Sequence, residues 1–136
     1  MKGVYFLLMR LERARVIRVG TREALFPAGY YVYTGSAQRN LEQRVARHAR
    51  RRKPKRWHID YLTAHARVIA VGIIPGAPRE DEAAFADEWG ALADFVPMRK
   101  FGASDSPSAS HLAGFRRRAK IERSPLWRKA FVLAAA

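Results

Sequence analysis

The chain has 136 residues, one domain's worth, and 49% of them are hydrophobic, an ordinary share for a body with its own core. Lys and Arg total 26 against 12 Asp and Glu, a formal charge of +14, and a body this basic repels itself unless a polyanion is near. Cysteine is absent, which excludes disulfides and thiolate metal sites; no apolar run approaches the ~18 residues of a spanning helix.

Gly3 to Leu11 (GVYFLLMRL) is a continuous apolar, β-prone run, predicted as a buried central strand. It leaves no room for a signal peptide after Met1, so the expected address is the cytoplasm. Glu12 to Ala14 reads as a turn and Arg15 to Val19 as the returning strand, ended by Gly20. Leu25 to Gly29 reads as a connection, since Pro27 cannot donate to a ladder. Tyr30 to Thr34 is predicted as a third strand, with Tyr31 and Tyr33 on one face and Tyr30, Val32 and Thr34 on the other. Gly35 is expected to break it. Ser36 or Asn40 would then cap a basic helix running over about 39–52 and stopping before Pro54.

On that helix Leu41, Arg44, Val45 and His48 fall at i, i+3, i+4 and i+7 and share one face. An amphipathic helix would place apolar residues at all four. Burying an unpaired polar group costs about 1–3 kcal/mol, so an arginine and a histidine on this stripe need a partner or a purpose. The outer face and exit carry Arg39, Arg47, Arg50, Arg51, Arg52, Lys53, Lys55 and Arg56. A solvated face is the plain alternative. Acidic partners four residues away are almost absent, however, and the charge of the whole chain favours a ridge that tracks phosphates. Arginine far outnumbers lysine, and its fork suits phosphate better. The expected partner is nucleic acid, DNA ahead of RNA, and not a membrane.

Trp57 to Ala66 is predicted as a short helix and Val68 to Ile74 as a further buried strand. Arg79 to Phe95 reads as a helix holding Glu80, Asp81, Glu82, Asp87, Glu88 and Asp94, with Phe85, Trp89, Leu92 and Phe95 as its apolar stripe. Met98 to Ser110 is a small-residue loop and His111 to Phe115 an edge strand. Ser124-Pro125 opens a last amphipathic helix with Trp127 and Phe131. Ser104, Asp105, Ser106, Ser108 and His111 hint at a Ser-His-Asp hydrolase, but no G-x-S-x-G turn occurs anywhere in the chain.

In this order the motifs resemble the GIY-YIG nuclease superfamily. Gly3-Val4-Tyr5 stands at its first tripeptide, Tyr33-Thr34-Gly35 at its second, and Leu41, Arg44 and His48 at its L-x-x-R-x-x-x-H helix. More narrowly, GYYVYTGSA, RVARH, WHIDYL and FGASDS-x-SASHL resemble an archaeal and bacterial branch of that superfamily. Two departures stand out. The segment between the tyrosine motifs is long enough for an extra strand, and Ser106 and Ser108 stand where members of the branch often have cysteines.

The resemblance implies an α+β fold, a small antiparallel or mixed sheet flanked by helices. Residues 1–115 would form the nuclease domain, and 116–136 a basic, helical extension packed on it. It also implies a DNA endonuclease using one divalent ion, Mg²⁺ or Mn²⁺, with Tyr5, Tyr33, Arg44, His48 and Glu88 lining one cleft and His58 at its margin. Arg47, Arg51, Lys53 and Lys55, with His58, would touch substrate.

Cleaving a phosphodiester requires deprotonating a water, neutralising phosphorane charge and stabilising the departing oxygen. Glu88, on the edge of the apolar stripe, is the expected metal ligand, with Glu82 as its substitute. A Glu88 carboxyl turned away from the phenols would leave a polyanion binder without hydrolysis. Arg44 would clamp the phosphate, or is a surface cation. His48 either relays a proton, holds a tyrosine hydroxyl or is a satisfied structural group. Tyr5 and Tyr33 either align the water or are core, and with a reference pKa of about 10 they act as bases only if a cation lowers it. The size of the chain favours a junction, flap or damaged site over a long sequence, because one domain spends its charge on backbone. The rivals are a binding module without turnover and a nuclease activated by docking on a DNA-repair protein through 116–136.

Overall fold

The computed structural model describes residues 1–134. In chain order its elements are β1 (Gly3–Leu11), β2 (Arg15–Val19), β3 (Arg22–Phe26), β4 (Gly29–Ala37), α1 (Leu41–Ala49), α2 (His58–Thr63), β5 (Arg67–Pro75), α3 (Asp81–Leu92), β6 (Leu112–Phe115), α4 (Arg118–Glu122), α5 (Pro125–Lys129) and β7 (Phe131–Ala134). The main sheet has the order β6-β4-β1-β5-β7 and every pair in it is antiparallel. This is the α+β class that the sequence predicts.

The apolar run of β1 belongs at the centre because both of its faces are covered. Tyr5, Leu7 and Met9 join Tyr31, Tyr33, Leu41, Ile59 and Leu62 on one face. Val4, Phe6 and Leu8 join Val32, Trp89, Phe115, Ile121, Leu126 and Trp127 on the other. A period of two sends alternate side chains into different cores, and each large one buried contributes about 1.5–3 kcal/mol. In the tail, Ile121, Leu126 and Trp127 pack into the second core, while β7 is exposed along its length. Among the described residues no helix is long and apolar enough to cross a membrane.

Four predicted boundaries are corrected. Leu25 and Phe26 are not a connection: they belong to β3, which pairs with β2 in a separate two-stranded sheet. Gly20, at φ +62°, supplies the left-handed turn between those strands. Gly35 does not end β4, which runs on to Ala37, so Ser36 is a strand residue and caps nothing. The helix α1 is shorter than predicted. It begins behind Asn40, which sits at φ 57° without a side-chain cap, and the Lys53 ammonium donates to the carbonyls of His48 and Arg50 at its end. Finally, Phe131 lies on β7, paired with β5 and 62% exposed, instead of on a helical stripe with Trp127. A stripe read at helical spacing across Ala130 fails because α5 ends at Lys129.

Candidate active site

The site begins where β1 meets β4. Tyr5 is paired directly with Gly35, and the absent side chain leaves room for the phenol to lie over the strand: a Cβ on Gly35 would fall 2.4 Å from Tyr5 Cζ. From there the Tyr5 hydroxyl and His48 Nε2 form a buried hydrogen bond of 2.8 Å. His48 is 1% exposed and its Nδ1 has no partner among the described residues. Burial, outweighing the pull of Asp60, lowers its pKa to about 4, so the imidazole is neutral at physiological pH. Burial and the nearby Tyr33 push the Tyr5 phenol well above its ordinary range, with Arg44 acting in the opposite direction.

Beside this pair opens a cleft of about 840 Å³, lined by Tyr33, Arg44, Trp57, His58, Glu82 and His111, with Arg39, Arg56 and Arg79 among its other walls. Arg44 is held from two sides. Its Nη1 donates to the Ser36 carbonyl at 2.8 Å, and its guanidinium lies 5.1 Å from the Trp57 ring centre. Tyr33 packs against Gly102, whose φ of +67° and missing Cβ admit the phenol ring. His58 Nδ1 accepts the Gly102 amide at 2.8 Å, which leaves Nε2 as the protonated, donating nitrogen of the neutral ring. Burial, then Arg22, lowers the His58 pKa. Glu82, half-buried in the first turn of α3, completes the wall. Burial raises its carboxyl above the ordinary range, while the Ser36 hydroxyl, Arg79 and Arg44 draw it back.

The expected cleft residues therefore separate. Tyr33, Arg44 and His58 line it. Tyr5 and His48 are 2% and 1% exposed and do not line it; the Tyr5 hydroxyl is bonded to His48, with the cleft residues Arg44 and Glu82 close enough to act on the phenol. Glu88 is a correction: it is solvent-exposed and lines no part of the cleft. The reason is angular. Glu82, Phe85 and Trp89 fall at i, i+3 and i+7, one inward row, whereas Glu88 lies about 100° round the helix from Trp89. The carboxyl that meets the tyrosines and Arg44 is that of Glu82. Its position on that row was the available signal.

The cationic ridge is corrected as well. Arg47 is not free for substrate: its guanidinium holds both Asp60 oxygens at 2.9 and 3.1 Å, donates to the Pro54 carbonyl and lies over Trp57. Burial alone would raise the Asp60 pKa, but Arg47 and the amides of Arg56 and Trp57 outweigh it and hold the carboxyl below its usual range. Lys53 closes α1, and burial lowers its pKa to about 8. Lys55 lies near the Tyr61 ring, and Arg51 is exposed; neither lines the cleft. The cleft's cations are Arg39, Arg44, Arg56 and Arg79 instead.

On the opposite wall Ser104, Asp105, Ser106 and His111 come from the small-residue loop. Lys100 anchors that loop by donating to the carbonyls of Ser106 and Ser108, each at 2.9 Å. Ser106 Oγ and His111 Nε2 are 3.1 Å apart. Ser108 is turned inward, donating to Asp87 at 2.7 Å. Among the described residues no three His, Asp or Glu side chains cluster as a metal-ligand set. A hard cation that keeps most of its waters needs only one carboxylate, and the half-buried Glu82, sharing the cleft with the Arg44 guanidinium, fits that demand.

A family model described as "Domain of unknown function DUF123" matches residues 4–129. No curated protein and no solved structure matches the chain.

Proposed function

Since the chain belongs to the DUF123 family, whose description states no activity, we propose from the cleft that it is a divalent-metal-dependent endonuclease of GIY-YIG type. It would act on DNA in the cytoplasm, at a structural feature or lesion rather than a long sequence. The observation that carries this reading is Glu82, a half-buried acid sharing one arginine-rimmed cleft with Arg44 and Tyr33 in a chain of charge +14.

Each residue then has a physical task. Arg44, already oriented by the Ser36 carbonyl and Trp57, offers its remaining N–H groups to the non-bridging oxygens of the phosphate as charge develops there. Tyr33, its pKa raised chiefly by burial, stays protonated and donates a hydrogen bond. His58 Nε2–H, fixed by the Gly102 amide, donates from the far side. Arg39, Arg56 and Arg79 hold flanking phosphates. Glu82 would hold Mg²⁺ or Mn²⁺, which supplies charge neutralisation and acidifies water when bound. Tyr5 and His48 are positioning residues whose bond ties β1 to α1, the helix that carries Arg44.

The test is plasmid nicking with and without Mg²⁺ or Mn²⁺, using hairpin, flap and four-way substrates beside linear duplex. Metal-dependent scission lost in Glu82→Ala, with binding retained, supports the enzyme. Salt-sensitive binding without scission under any metal points to the second reading, a nucleic-acid-binding module. One observation favours that second reading: the Glu88 carboxyl is turned to solvent and lines no part of the cleft, so hydrolysis rests on its substitute Glu82 alone.

A further inference from the structure

A second concavity, of about 620 Å³, lies at the other end of α3. Leu92, Ala119 and Pro125 form its apolar part, and Arg116, Arg117, Lys120 and Arg123 its charged rim. All four cations are exposed. Lys120 is paired with Asp94 at 2.9 Å, and the same carboxylate accepts the Arg116 amide. The guanidiniums of Arg116, Arg117 and Arg123 make no ion pair among the described residues. One carboxylate therefore serves four cations. Such an excess is unfavourable in a chain already at +14 unless an anion neutralises it.

Two elements measure the distance from this groove to the cleft. Glu82 lines the cleft and Leu92 the groove; ten residues of helix between them rise about 15 Å. His111 lines the cleft and Arg116 the groove; five residues of near-extended chain between them cover about 17 Å. Both rulers give about five base-pair steps of duplex at ~3.4 Å each.

We infer that the groove of Arg116, Arg117, Lys120 and Arg123 is a second phosphate-backbone site, which engages a duplex arm about half a helical turn from the phosphate held in the cleft. Its apolar floor takes sugar faces and its guanidiniums take phosphates. The substrate class is then narrower than single-stranded nucleic acid: it must carry a double-stranded arm on one side of the bond at the cleft. This inference rests on the proposed function.

The experiment measures binding of the full chain to fluorescent duplexes whose arm on one side is shortened stepwise from about twelve to about three base pairs, at several salt concentrations. Arg117→Gln/Arg123→Gln is compared with Arg13→Gln/Arg18→Gln, which removes the same charge from exposed positions on and beside the β2–β3 hairpin. The expected result for the native chain is a fall in affinity of about tenfold once the arm drops below five or six base pairs, and no such step in the groove variant. The groove variant's log–log salt slope should also be shallower by about two, at ~0.9 per phosphate contact, beyond any change in the hairpin variant. Equal losses in both variants, or no length step, would overturn the second site while leaving the cleft reading intact. Competition by a short polyglutamate peptide that is lost in the groove variant, with duplex affinity unchanged, would reassign the groove to a protein partner. No binding of the native chain to any duplex would remove the cleft reading itself, and this inference with it.

Discussion

The Tyr5 ring lies directly over Gly35, so that any side chain there would overlap the phenol, 2.4 Å from Cζ and 2.5 Å from its oxygen. Gly35 has an ordinary strand backbone, so alanine would regain a few tenths to about 1 kcal/mol of chain entropy. Overpacking against a buried ring costs about 1–3 kcal/mol and wins. Gly35→Ala is therefore expected to lower stability by about 1–2 kcal/mol, as the balance of these terms, in urea melts. Tyr5→Phe keeps the ring and removes only the bond to His48, at about 1–3 kcal/mol. A Gly35→Ala protein as stable as the native one would contradict this packing.

Acid should weaken the fold through His48. Its folded pKa is about 4 against an ordinary 6.5, so between those values the unfolded chain binds a proton that the folded chain refuses. The contribution is complete above about pH 6.5 and is lost as the pH falls towards 4. At ~1.4 kcal/mol per unit it amounts to roughly 3 kcal/mol. The check is urea stability at pH 7 and pH 4 for the native chain and His48→Gln, which keeps a polar partner for Tyr5 without titrating. If the two proteins lose the same stability, His48 does not carry the effect.

Glu82 and Glu88 separate the functional readings cleanly. Removing Glu82 is expected to reduce metal-dependent cleavage by about 10²–10³-fold or more, while duplex affinity holds or rises because a negative charge leaves the cleft. Glu88→Ala should cleave like the native chain. Because burial raises the Glu82 pKa, metal-dependent activity should fall off at a higher pH than an ordinary carboxylate would set. A pH–rate profile with Mg²⁺ reads this directly, and loss of cleavage in Glu88→Ala alone would refute the assignment.

Arg47 and Arg56 should behave differently although both follow from one basic run. Arg47→Ala leaves Asp60, 1% exposed, without its cationic partner; about 3 kcal/mol is expected, the low end for a broken buried pair because two amides still bind the carboxylate. Arg56→Ala and Arg79→Ala should instead leave thermal stability unchanged and flatten the salt dependence of binding by about 0.9 each. Parallel stability and salt-titration measurements on the three variants decide it.

The two cores were largely legible in the chain because alternation along β1 and β4 has one physical meaning: a buried sheet with a core on each face. Tyr31 and Tyr33 face one way and Val32 the other, as their spacing requires. The stripe of Leu41 and His48 was legible for a similar reason, since helical periodicity buries whatever stands on it. Strand continuity through Gly35 was not. A glycine reads locally as a break, and only the ring of a residue 30 positions earlier explains it.

Charge, size, the absence of cysteine and the order of its amphipathic segments already determine that this chain makes an arginine-rich α+β body built around its first strand. Which carboxylate meets the cleft, and which arginines are spent on internal acids, were decided only by tertiary structure. Glu82 and Glu88, like Arg47 and Arg56, are alike in chemistry and neighbourhood along the chain. They differ in the direction that packing gives them: one turn-fraction of α3 sends Glu88 to solvent, and one buried aspartate claims Arg47. Local propensity carries no record of either event.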